Sequence, residues 1–198
     1  MAKDYNAIHY IQNQANKYNV DDKLTDLLIR GFNLIYSNQE PDGCASNTVA
    51  LYVCLKNMSC NPQICYGLCT TESGFEFYHM WLELDDKIID LAIYGNAKFS
   101  VLSGELAHII TTPVVLETYD ESKVHYGKFV FDDDWKDAAI SAVENMTLKE
   151  YINSAPNNGM KKLICRYMDV SPTIENINKL LDNIGDFCFA DLKRGNGQ

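Results

Sequence analysis

At 198 residues, with 46% hydrophobic and 11% aromatic side chains, the chain has the apolar mass of one folded domain and is not globally disordered. Seventeen basic against 27 acidic residues leave a net charge of −10 with no basic cluster, which argues against nucleic acid or an anionic membrane as a partner. No apolar run approaches the roughly 20 residues that span a bilayer, and Met1-Ala2-Lys3-Asp4-Tyr5-Asn6 lacks the basic-then-apolar pattern of a secretory signal. A cytoplasmic location is therefore expected, with signal-free export left open. Seven cysteines, an odd number with no signal to an oxidising compartment, read as free thiols, most of them small buried hydrophobes.

Apolar residues recur at helical spacing over 3–18 (Ile8, Ile11, Ala15) and over 21–37 (Leu24, Leu27, Leu28, Phe32, Leu34, Ile35), predicting two N-terminal helices within 1–37. Ser37-Asn38-Gln39-Glu40-Pro41-Asp42-Gly43 is dense in turn formers and reads as a loop. A helix is expected from Cys44 to about Asn57, then strands near 63–71, 75–84 and 87–93, with further extended segments around 109–119 and 125–131. From Asp134 the pattern turns helical, with a capping box at Thr147-Leu148-Lys149-Glu150 and an N-cap at Ser171 followed by Pro172 at the first helical position. The expectation is a single α+β domain. N-terminal helices (1–37) precede a core (38–131) in which a helix packs on a small antiparallel sheet, and a helical extension (132–198) follows.

The stretch 75–93 carries more than a strand signal. If Asp85-Asp86 is a two-residue turn, Glu83 faces Ile88, Leu82 faces Ile89, Trp81 faces Asp90 and Met80 faces Leu91. Met80, Leu82, Leu84, Ile89 and Leu91 then share one apolar face, and Phe77, His79, Trp81, Glu83, Ile88 and Asp90 share the other. The register that gathers the aliphatic residues also sets Asp90 diagonal to His79, within reach of an imidazole–carboxylate contact.

Cys44 follows Pro41-Asp42-Gly43 and opens the third helix. A thiol there feels the positive end of the helix dipole and unpaired amide hydrogens, which favour the thiolate, and its own amide can donate to an oxyanion. The other cysteines lack that setting. Cys44 as nucleophile, His79 as proton shuttle and Asp90 as the group orienting the imidazole make a cysteine triad. No metal or other cofactor is expected. Cys54, Cys60, Cys65 and Cys69 are not paired as structural zinc ligands are, and Asp132-Asp133-Asp134 reads as a charge complement to a helix start. His108 and His125 have no acid in a definable register and read as ordinary core or surface histidines.

Gly43-Cys44 at a helix start, Ala50-Leu51 within that helix, Pro62 before a strand reaching Gly67, His79-x-Trp81 and Asp90 together resemble the transglutaminase-like superfamily of papain-type cysteine enzymes, above all its compact bacterial members. The likeness spans about residues 40–95. Met80 stands where a small residue is usual, the Cys60-Asn61-Pro62-Gln63-Ile64 turn has no arginine, and Leu91-Ala92 follows Asp90 in place of a proline or threonine. The resemblance implies a papain-like core, a second oxyanion donor upstream of the cysteine (Gln39 or Asn38 by position) and Trp81 at the substrate cleft. The expected activity is attack on an amide carbonyl of a peptide or protein substrate through an acyl-enzyme at Cys44. A peptidase or amidase is favoured; acyl transfer of the transglutaminase or deamidase kind, or an inactive scaffold binding a protein partner, are the alternatives, and oligomeric state is left open.

Overall fold

The computed structural model describes residues 4–39, 43–128, 145–154 and 159–189. The chain is α+β: eight helices and one curled five-stranded antiparallel sheet among these residues. Helix α1 (Tyr5–Lys17) is capped by Asp4, whose Oδ1 accepts from the Ala7 amide, and α2 (Asp22–Asn38) by Asp21 through the Leu24 amide. Each buries one stripe: Ala7, Ile11 and Ala15 on α1, and Leu24, Leu27, Leu28, Gly31, Phe32 and Ile35 on α2.

Helix α3 (Cys44–Asn57) is different. Every residue from Asn47 to Leu55 is buried, because its sequence is apolar on all sides and neighbours close around it. The strands are β1 (Gln63–Thr71), β2 (Glu76–Leu84), β3 (Lys87–Asp90), β4 (Val114–Glu117) and β5 (Val124–Lys128), in the spatial order β4-β3-β2-β1-β5. Between β3 and β4 lie α4 (Ala92–Phe99) and the short α5 (Ser103–Leu106), and after β5 come α6 (Leu148–Asn153), α7 (Met160–Met168) and α8 (Ile174–Asp182). Helix α3 packs on β2 on one side and on α4, α7 and α8 on others.

The β2–β3 hairpin has the register the apolar pattern predicts: Leu82 opposite Ile89, Glu83 opposite Ile88, Leu84 opposite Lys87. Asp85 and Asp86 both take positive φ (50° and 60°), as a two-residue turn matching the strands' right-handed twist demands. One expectation fails here. Strand β3 stops at Asp90, not 93, because Leu91 turns to helical angles (φ −73°, ψ −28°) and leads into α4, while Asp90 Oδ1 accepts the Ile93 amide at 3.0 Å and satisfies an otherwise unpaired first-turn donor. Leu91 is therefore buried without being a strand partner of Met80. The opposite face, carrying Phe77, His79, Trp81 and Asp90, is buried as well.

Smaller corrections follow the same logic. The extended segment at 109–119 yields only Val114–Glu117, paired to β3 through a register shift at Ile88/Ile89. Helix α8 is capped by Thr173, whose hydroxyl accepts the Asn176 amide, so Ser171 and Pro172 lie before the helix and not at its first positions. The Thr147–Glu150 capping box forms in full. Asp132-Asp133-Asp134 and the helical start expected at Asp134 lie outside the described residues. No described helix is long and apolar enough to cross a membrane.

Candidate active site

Cys44 is the first residue of α3, with Gly43 as N-cap. Gly43 makes no side-chain cap, and among the described residues no side chain takes the first-turn amide hydrogens at this helix start. One turn along the same face (i, i+4), Thr48 donates its hydroxyl to the Met80 carbonyl (3.0 Å) and fixes α3 against β2 beside His79. The Met80 amide also lies near the Cys44 sulfur and helps to hold its pKa down. The thiol is half-buried and lies beside the His79 imidazole, close enough that each shifts the other's titration.

His79 is 1% exposed, on β2 opposite Gly67, with the Phe77 ring edge-on to it. Its Nε2 lies 2.7 Å from Asp90 Oδ2. The ring N–H is off the direct line to that oxygen, so the contact is an ion pair more than an aligned hydrogen bond. Nδ1, with no hydrogen bond of its own, is the nitrogen left for the thiol. Both Asp90 oxygens are engaged: Oδ1 takes the Ile93 amide, and Oδ2 takes the Tyr126 hydroxyl at 2.7 Å besides facing His79.

Electrostatics single out one sulfur. Burial by itself pushes the Cys44 thiol up, but the adjacent His79 imidazole outweighs it, and the net shift is downward. For His79, burial pulls the imidazole down, while the Asp90 charge and contact, then Cys44, push it above its ordinary 6.5. The two shifts describe one coupled thiolate–imidazolium pair. Cys54, Cys60, Cys69 and Cys165 are instead pushed up, in each case mainly by burial. A thiol that gives its proton to an imidazole held by a buried carboxylate is a nucleophile with a proton donor beside it.

The structure thus brings Cys44, His79 and Asp90 together. It does not do so for the other site residues. Asn38 and Gln39 end α2 with exposed side chains, Gln39 in a left-handed conformation as the C-cap, and no hydrogen bond joins either to Cys44 or His79 among the described residues. Trp81, expected at the cleft, is fully buried, its ring tilted against Tyr126 at 5.0 Å, because β5 curls over that face. His108 and His125 are exposed. Sequence reasoning missed Tyr126. It lies 36 residues from Asp90 with two strands between, and its only signal was an alternating Val124-His125-Tyr126 run. No described group of three or more His, Cys, Asp or Glu side chains is arranged to hold a metal ion. No protein-family model, curated protein or solved structure matches the chain.

Proposed function

We propose that this chain is a cysteine-nucleophile enzyme of the transglutaminase-like, papain-type kind, cleaving an amide bond in a peptide or protein through an acyl-enzyme at Cys44. What supports it is a single contact set: His79 Nε2 at 2.7 Å from the buried Asp90 carboxylate, with the Cys44 thiol on the same imidazole and its pKa lowered. The ordered motif from Gly43 to Asp90 argues in the same direction.

Each step has a residue to perform it. The Cys44 thiolate adds to the amide carbonyl, forming the C–S bond. The resulting oxyanion is stabilised by the Cys44 amide at the start of α3, where the helix dipole adds to the donor. The His79 imidazolium delivers its proton to the leaving nitrogen as the C–N bond breaks, leaving a thioester and a free amine. Water, deprotonated by His79, then attacks the thioester and returns the thiol. Asp90 holds one ring orientation and stabilises the imidazolium throughout. An amine in place of water at the second step would give acyl transfer from the same intermediate. The net negative charge favours neutral or basic substrates.

Mass spectrometry of the intact chain after incubation with an activated amide or ester of a short peptide tests this directly. An acyl adduct on Cys44 is expected, absent in Cys44→Ala and slow to form in His79→Gln. Adducts spread evenly over the other cysteines, or none at any pH, contradict it. Adding a primary amine during turnover then separates hydrolysis from transfer by the product formed.

A further inference from the structure

Tyr126 belongs to β5, at one edge of the sheet, yet its hydroxyl reaches Asp90 on β3, with β1 and β2 between. The crossing is possible because β1 presents only small residues on that face. Cys65 pairs with Trp81, Gly67 with His79, and Cys69 with both Phe77 and Tyr126, so the phenol ring runs over a lane of sulfurs and a bare Cα and lies against Trp81. The sheet's curl brings the hydroxyl to the carboxylate.

The oxygen it meets matters. Asp90 Oδ1 is already served by the Ile93 amide, and Tyr126 donates to Oδ2, the oxygen 2.7 Å from His79 Nε2. A hydroxyl serving only to satisfy a buried carboxylate had another oxygen with a free lone pair to choose. We infer that Tyr126 is a positioning residue of the site, its hydroxyl fixing the Asp90 carboxylate in the orientation that supports the His79 imidazolium. The inference rests on the Cys44–His79–Asp90 reading above and adds a fourth side chain to it.

Burial and the neighbouring Asp90 charge hold the phenol far above its ordinary range, so it stays a proton donor wherever the pair titrates. The ionisable groups acting on Asp90 and its partners are Cys44 from α3, Cys69 from β1, His79 from β2, Glu117 from β4 and Tyr126 itself. Loss of the hydroxyl leaves Oδ2 with one donor fewer. The carboxylate becomes freer to turn away from His79, and the imidazolium loses support.

The test is the pH profile of Cys44 alkylation by a neutral reagent, iodoacetamide, in wild type and Tyr126→Phe, which keeps the ring and its packing. The inflection is expected to move up by about one pH unit, with the rate near pH 6 falling about tenfold. A folded Tyr126→Phe protein with an unmoved inflection overturns the inference while leaving the nucleophile reading intact. A wild-type profile with no inflection below the ordinary thiol value of about 8.5 removes both. Val124→Ala, a buried truncation on the same strand, is expected to lower thermal stability without moving the inflection; an equal shift there makes the effect strand-wide and defeats the assignment. Should Tyr126→Phe not fold, tyrosine labelled with carbon-13 at Cζ in the wild-type chain decides: the Tyr126 signal must titrate with the Cys44 inflection, and a flat response overturns the inference.

Discussion

His79 shows what a single buried side chain experiences here. Removal from water would leave the imidazole neutral, and the Asp90 carboxylate reverses that, so its folded pKa stands above the unfolded 6.5. A group raised on folding adds stability that is fully present below its unfolded value and is lost as pH climbs through its folded value. Because Cys44 titrates with it, the clean comparison is made with the thiol removed. The stability gap between Cys44→Ala and Cys44→Ala/His79→Gln is expected to be widest at about pH 5.5 and to narrow toward about pH 9, read from urea midpoints. A gap that grows with pH would mean the imidazole is buried neutral and the ion pair is absent. At this scale much was legible. Cys44 could be singled out because a helix start is a local property, and Asp90 because the hairpin register is set by burial of Met80, Leu82 and Ile89. Tyr126 could not, since nothing near it in the chain points to Asp90.

Elements were readable wherever one periodicity ruled. Helix α3 begins and ends where its apolar stretch and flanking turn formers place it (Cys44–Asn57), and β1 spans the 63–71 of its β-branched run. Helix α4 was missed. Leu91-Ala92-Ile93-Tyr94 is a short apolar run, compatible with a strand or a buried helix, and the Asp90–Ile93 bond tips it to helix. The hairpin turn carries its own test. Asp85 and Asp86 are exposed and hold left-handed angles that cost a residue with a Cβ. Asp86→Gly is expected to stabilise the protein by about 0.5–1 kcal/mol while leaving the Cys44 alkylation profile unchanged. A loss of stability in urea unfolding would show that the Asp86 side chain contributes something beyond its backbone angle.

For the molecule as a whole, the start of α3 is braced from behind. Gly31 on α2 lets the Tyr167 ring of α7 come so near that an added Cβ would stand 2.5 Å from its Cε1. Tyr167 in turn donates to Asn47 Oδ1 (2.8 Å), and Asn47 donates to the Gly43 carbonyl (2.8 Å), just before Cys44. Arg30 ties the same two helices together through the Tyr167 carbonyl. Gly31→Ala therefore forces α2 and α7 apart in a filled core, and a loss of about 1–3 kcal/mol is expected by denaturant unfolding. A neutral result would mean that Tyr167 has room to swing aside and that the brace is loose.

Residue order along the chain was enough to mark an α+β protein, the run of α3, the register of one hairpin and a thiol at a helix start. Each depends on neighbours a few positions away or on alternation within one strand pair. The meeting of sulfur and imidazole, the burial of Trp81, and the Tyr126 hydroxyl on Asp90 depend on which element covers which face. Periodicity reveals that a face is apolar but not what lies against it. That was decided by the curl of the five-stranded sheet, which brings the Tyr126 hydroxyl of its edge strand across to Asp90.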